Sequence, residues 1–239
     1  MAQKVILGVC TSGSRLKMAV AAGARAFSAQ KKVFNQELVL FPMARRLLAA
    51  AGTDLRGVTT VCAVRGPGRF TGIRISLTLA GTLKALSGAE VRTATLFEVL
   101  VRGAAGTRQY GAWAAANPRG RLAALAHAFK DEYFCQFFRA GGPKGPKPDG
   151  EPLWLKSEEL RALLAAQAGP LYAVADAEEE PGIYGLLPAG AARAPAAVSR
   201  IVPAAVIAAC LASGCRSLRP LYLKPAKYEL QNNVSYTGK

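Results

Sequence analysis

The residues best suited to chemistry lie in one run, Arg65-Gly-Pro-Gly-Arg-Phe-Thr-Gly-Ile-Arg74. It follows an apolar stretch, Val58 to Val64, that reads as a buried strand, and it opens an apolar helical pattern from Ile73 to Leu86. A strand, a glycine-rich turn and a helix together present backbone N–H groups to an anion. The first helical turn leaves its donors unpaired and its dipole end positive. The chemistry this predicts is binding of a nucleotide or other anion by Gly66, Pro67, Gly68, Arg69, Phe70, Thr71 and Gly72. Arg65, Arg69 and Arg74 would then contact phosphate or RNA. The alternative is structural: the spacing is neither a P-loop nor G-x-G-x-x-G, so the glycines can simply turn the chain while the arginines are solvated.

Other chemistries find little support. There is one histidine, His127, so no H-x-x-x-H metal pair exists, and none of the five cysteines forms a C-x-x-C pair. This argues against a zinc site and a disulfide framework, and no metal is expected. Cys10, Cys62, Cys135, Cys210 and Cys215 sit mostly in apolar surroundings, which points to a reducing, cytoplasmic compartment. No apolar run approaches the roughly 20 residues that cross a bilayer, and the short apolar run within Met1 to Cys10 reads as a first strand rather than a signal peptide.

Charge is uneven. Residues 1–128 hold 18 Lys and Arg against four acids, whereas the remainder holds 13 against 11, within a net charge of +16. A basic first half suits a polyanion such as RNA or an acidic protein surface, with a solvated basic face as the alternative.

The elements that must position the glycine-rich run follow from periodicity. Lys4 to Val9, Lys17 to Ala22 and Ala24 to Ala29 read as a meander with a tight turn at Thr11–Ser14 and a joint at Gly23. Phe34 to Ala51 has helical spacing, with Pro42 expected to kink or restart it and Gly52 to end it. After the glycine run come a strand near Val91 and a helix from Leu96 to Arg102.

Gly103 to Gly120, rich in Ala, Gly and Asn, reads as a domain junction. Beyond it Arg121 to Ala128 pairs with Glu132 to Phe138, and Ala140 to Gly150 has the composition of an exposed loop. Pro152 to Lys156 is a strand, Ser157 caps a helix, Leu171 to Ala175 is a strand and Pro203 begins a last helix. Strands followed by alternating helices and parallel strands describe an α/β domain with a mixed sheet.

The run Arg65 to Arg74 closely resembles the G-P-G-S-F-T-G-[VI]-R signature of the bacterial TsaB (YeaZ) family, and Pro220-Leu-Tyr-Leu-Lys224 resembles that family's P-x-Y-L-R tail. Leu122 to Phe138 matches its central strand pair more loosely. The resemblance implies a two-lobed actin-like ATPase (ASKHA, RNase H-like) fold with mixed central sheets. The first lobe would span 1–104 with 217–239 returning to it, and the second 105–216. It implies a noncatalytic subunit that pairs with the catalytic paralogue TsaD and the ATPase TsaE. The complex transfers threonylcarbamoyl to adenosine 37 of tRNA, which the chain would meet through the complex. The isolated chain would need no cofactor, with ATP or ADP at the partner interface, and could form a homodimer through the same helices. Leu38, Phe41, Arg45, Ile73, Ser76, Leu77, Ala80 and Lys84 would form the partner interface. On that reading Ala80→Arg should abolish the complex and leave the fold intact.

Several positions depart from the family pattern, and the family's histidine ahead of the kinked helix is absent from Lys31 to Glu37. Cys10 stands where relatives end the first strand with an acid, Arg69 replaces serine in the signature, and His127-Ala-Phe129 replaces D-A-R. A neutral thiol cannot help hold a nucleotide's magnesium, so phosphoryl transfer is disfavoured. The missing histidine pair also undercuts a metallopeptidase reading. The other classes weighed are an actin-like ATPase or kinase acting alone and a basic RNA-binding protein, the latter without recognisable RNA modules.

Overall fold

The computed structural model describes residues 4–140 and 145–224. The first sheet contains β1 (Val5–Cys10), β2 (Arg15–Ala22), β3 (Arg25–Lys32), β4 (Thr60–Val64) and β5 (Glu90–Ala94), in the order β3-β2-β1-β4-β5. The meander β1–β2–β3 is antiparallel, and β4 and β5 are parallel to β1. The second sheet contains β6 (Arg121–Phe129), β7 (Glu132–Arg139), β8 (Lys147–Pro148), β9 (Leu153–Lys156), β10 (Leu171–Ala175) and β11 (Ala192–Arg193). Its order is β11-β10-β6-β7-β8, with β9 also paired to β7. The hairpin β6–β7 is antiparallel, and β10 and β11 continue parallel to β6. Each sheet is thus a hairpin extended by two parallel strands, with β8 and β9 holding in the second the edge that β3 holds in the first.

Strand alternation decides the layers. Val5, Leu7 and Val9 of β1 with Val61 and Ala63 of β4 enter one core, while Ile6, Cys10, Cys62 and Val64 enter another. The same period of two sends Leu122, Ala124, Tyr172 and Val174 to the shared core and Ala123, Leu125, Leu171 and Ala175 to a third.

The helices are α1 (Gln36–Ala50), α2 (Phe70–Ser87), α3 (Leu96–Ala105), α4 (Arg108–Ala116), α5 (Ser157–Ala165) and α6 (Pro203–Ser213). Helices α1 and α2 cover the outer face of the first sheet, and α5 covers that of the second. Helices α3 and α6 fill the middle, α6 packing on the first sheet, α3 on the second and the two on each other, with Phe97, Leu100, Val206 and Cys210 in the shared core. Five layers therefore enclose three apolar cores, the central one joining the lobes.

Several expectations are corrected. Gly103 to Gly120, the stretch of the expected domain junction, is largely helical and carries α4. Thr107 accepts the Tyr110 N–H as a cap, and Tyr110 and Trp113 pack against Tyr172 at 5.2 Å. Pro42 lies inside α1 without ending it. Ser157 is the first residue of α5 rather than its cap. Its N–H goes to the Asp131 carbonyl at 3.1 Å, and Glu159 accepts the Lys156 N–H at 2.7 Å. Lys147 and Pro148, inside the expected loop, pair with Arg139 and Phe138.

The return to the first sheet also begins before residue 217, since α6 packs beside Ile6, Cys62 and Val64. Cys215 then bridges to Thr93, and the Leu221 N–H donates to the Arg65 carbonyl at 2.7 Å. Residues 225–239 of the expected tail lie outside the described residues.

Candidate functional site

The glycine-rich run is a packed corner. The Arg65 N–H donates to Ala94, the Leu96 N–H to Gly66, and the Arg69 N–H to the Ser12 carbonyl at 2.8 Å. Gly66 and Gly68 have φ of +115° and +148°, and a Cβ on either would stand 2.5 Å from a backbone oxygen, of Leu221 and Ser12 respectively. The glycines therefore let two backbone segments approach, as the structural alternative expects. Arg69 precedes α2 without a side-chain cap, and Phe70, Thr71 and Gly72 form its first turn.

The three arginines do not converge. Arg65 is half-buried beside Cys215 of the returning segment. Burial pushes that thiol up, but hydrogen bonds from Thr93 and Ser217 and the Arg65 charge bring it below its ordinary value. Arg69 and Arg74 are exposed on the outer helical face. The Arg69 guanidinium lies 5.9 Å from the Phe34 ring centre, and that of Arg74 lies 3.8 Å from Phe70. Tyr222 stacks on Phe70 at 4.7 Å and accepts the Arg74 Nε–H at 3.1 Å. A cavity of about 180 Å³ opens between the starts of α1 and α2, lined by Thr11, Phe34, Gln36, Arg69, Phe70 and Ile75.

Helix α1 carries two apolar stripes. Leu40, Met43, Ala44, Leu47 and Leu48 are buried on the sheet. Leu38 and Phe41, three apart on a side next to the buried one, with Phe34 just before the helix, are 68%, 43% and 83% exposed. One stripe suffices for folding, so the second leaves exposed apolar surface that packing within the chain does not use. Arg45 and Lys84 are exposed too.

Ile73, Ser76, Leu77 and Ala80 are corrected. All four are buried and point from α2 into the first lobe, where Ser76 donates to the Val64 carbonyl at 3.0 Å. The small residues of α2 serve close packing within the chain. A Cβ on Gly72 would stand 1.9 Å from the Thr11 carbonyl oxygen, and one on Gly81 would meet Leu218 at 3.6 Å.

Sequence reasoning missed Tyr222 and the role of Phe34. An apolar residue just before a helix usually packs back onto it, and only the exposed ring shows otherwise. It also missed the acids that enter the interlobe cleft. Asp176, at the end of β10, is buried with Oδ1 unpaired, and its carboxyl is pushed up to about 6, chiefly by burial. Cys10 is fully buried and its thiol is raised by that burial. His127 lies outside this group: its Nε2 pairs with the Lys130 carbonyl at 2.8 Å and its ring meets Tyr133 edge-on.

The cleft does not fit a nucleotide with its magnesium. A buried neutral thiol ends β1, and the Ser14 N–H and hydroxyl of the turn that follows are taken by Glu179. Among the described residues no group of three His, Cys, Asp or Glu side chains is placed to hold a metal ion.

Residues 35–109, from the cap of α1 to the start of α4, match the family model of TsaD, tRNA N6-adenosine threonylcarbamoyltransferase. The structure superposes on YeaZ from Pseudomonas aeruginosa with a TM-score of 0.70 at 21% identity, covering 92% of this chain and 100% of that one. The chain has the YeaZ fold. A second structure from the same organism, an uncharacterized protein with similarity to peptidase YEAZ, gives 0.69 at 21% identity with the same coverage. No curated protein matches the chain. The YeaZ fold here is the two-lobed, actin-like arrangement with mixed sheets expected from the signature at Arg65 to Arg74. Among the described residues no helix is long and apolar enough to cross a membrane.

Proposed function

We propose that this chain is a TsaB-type, noncatalytic subunit of the cytoplasmic assembly that places threonylcarbamoyl on adenosine 37 of tRNA. Its task is to dock the catalytic TsaD subunit on the outer face of α1 and α2, with the ATPase TsaE joining the complex. The observation that carries this reading is the second apolar stripe Phe34–Leu38–Phe41, within a face built largely from the segment that matches the TsaD family.

Burying a Leu or Phe side chain contributes about 1.5–3 kcal/mol, and the exposed stripe leaves that gain for association. Arg45, Arg69, Arg74 and Lys84 surround it with positive charge, so the matching surface should be acidic at its rim. Without the catalytic subunit, the same stripe would support a homodimer. The cleft chemistry supports a noncatalytic role, because Glu178 and Glu179 are spent on partners within the chain. On this reading the chain needs no cofactor of its own, and any ATP or ADP belongs to the interface with TsaD.

The test is co-expression with the TsaD of the same host, followed by gel filtration. The intact chain should co-elute with it, and Leu38→Glu should abolish co-elution while unfolding at the same temperature. A complex that survives Leu38→Glu and Phe34→Glu together would overturn the reading.

A further inference from the structure

Glu179, just beyond β10 in the second lobe, lies with both carboxylate oxygens on the turn after β1 in the first. The Ser14 N–H donates to Oε1 at 3.0 Å and to Oε2 at 2.9 Å, and the Ser14 hydroxyl donates to Oε1 at 3.0 Å. Gly13 makes room for it, since a Cβ there would stand 2.6 Å from Oε1. Beside it, buried Lys17 donates to Glu178 Oε2 at 2.5 Å, and Arg15 Nε lies 3.2 Å from Glu178 Oε1. An ammonium group as buried as Lys17 requires such a counter-charge. Asp176 completes the group of acids, buried and with Oδ1 unpaired.

The rest of the turn is held from within the first lobe. Gln36 Nε2 donates to the Gly13 carbonyl at 2.8 Å, and the Arg69 N–H donates to the Ser12 carbonyl at 2.8 Å. Two carbonyls of the turn are thus tied to α1 and to the glycine-rich run, while the Ser14 amide and hydroxyl face the other lobe. A charged acceptor that takes three hydrogen bonds from one residue is a strong contact.

The geometry points to an oxyanion-binding site in this turn, formed by the Ser14 N–H and hydroxyl with Arg15 and Lys17 beside them, which the chain fills with its own Glu179 and so latches its lobes. The ligand class is a small oxyanion. The carboxylate here is supplied in cis, and formate or inorganic phosphate can use the same donors. While Glu179 holds the site, the cleft is a joint rather than a phosphate pocket. The inference does not depend on which protein docks on α1 and α2.

The experiment is thermal unfolding of the full chain and of Glu179→Ala, each titrated with sodium formate or sodium phosphate against sodium chloride of equal ionic strength. The alanine variant should unfold about 5 °C lower. Formate and phosphate should each restore part of that loss, with no gain over chloride for the intact chain. Equal shifts in both proteins, or no restoration beyond chloride, would overturn the site. Restoration by formate alone would keep the carboxylate site and remove phosphate from the ligand class. A second measurement needs no variant: the Ser14 amide should be protected in NMR-resolved hydrogen exchange of the intact chain, and free exchange there would equally overturn the latch.

Discussion

The Thr11 hydroxyl donates to the Gly72 carbonyl at 2.5 Å, and the Thr11 carbonyl oxygen lies so close to Gly72 that a methyl group there would stand 1.9 Å away. The first turn of α2 is thereby pressed onto the segment leaving β1. Helix propensity alone would favour alanine by about 1 kcal/mol. The collision is with backbone, which cannot rotate aside, and it wins. Gly72→Ala should therefore destabilise the chain by about 2 kcal/mol or more, read as a lower midpoint in urea. A variant as stable as the parent would show that the two segments can part without cost.

Ala80 and Leu38 should behave oppositely. Ala80 is fully buried, so Ala80→Arg forces an unpaired guanidinium into the first core at a cost on the order of 4 kcal/mol or more. Loss of cooperative thermal unfolding is expected. Leu38 is 68% exposed, so Leu38→Glu should shift stability by no more than about 0.5 kcal/mol. A stable Ala80→Arg chain would place that residue back on a surface.

Asp176 makes stability depend on pH. Its carboxyl is pushed up to about 6 by burial, opposed by Lys17 and reinforced by Glu179 and Glu178. The folded chain holds this proton more tightly than the unfolded chain, so the contribution is full below about 4 and is lost as pH rises to about 6. The gap from the ordinary value of 3.8 corresponds to on the order of 3 kcal/mol. Asp176→Asn should raise the melting temperature at pH 7.5 by several degrees and converge with the parent near pH 4. A gain that persists unchanged at pH 4 would assign the effect to something other than this proton.

The five cysteines should differ in reactivity. Cys10, Cys62, Cys135 and Cys210 are buried, whereas Cys215 is partly exposed and its thiol is lowered by its hydrogen bonds and the Arg65 charge. A native chain at pH 7.5 should take up one equivalent of iodoacetamide, lost in Cys215→Ser. Labelling of two or more cysteines at comparable rates would contradict the packing around α6.

Arg69 and Arg74 extend the basic first half onto the outer face. If the assembled complex presents them to tRNA, Arg69→Glu with Arg74→Glu should lower its affinity at least about tenfold at low salt. The complex must first be shown intact by gel filtration. Unchanged affinity at low salt would confine both arginines to their rings at Phe34 and Phe70.

Much of the fold was legible because its signals are local. The apolar runs at Lys4 to Val9 and Val58 to Val64 reflect strands of a sheet buried on both faces. Glycine at 23 and 52 marks positions of positive φ. Helix α4 was hidden because its composition is that of a linker, and its stability comes from Tyr110 and Trp113 meeting Tyr172, far away in sequence. The inward side of α2 was misassigned because small residues look the same whether they admit a neighbouring strand or another chain.

The sequence by itself determined the meander, the strand–turn–helix at Arg65 to Arg74, the neutral thiol at Cys10 and the excess of positive charge, since each depends on residue type or short-range period. Only the tertiary structure decided what faces what. It showed that Phe34, Leu38 and Phe41 form an outward stripe, that Arg65 parts from Arg69 and Arg74, and that Glu179 closes on Ser14 across 165 residues. Such contacts arise from how two sheets pack about α3 and α6, and the cost of bringing distant segments together leaves no mark on local sequence.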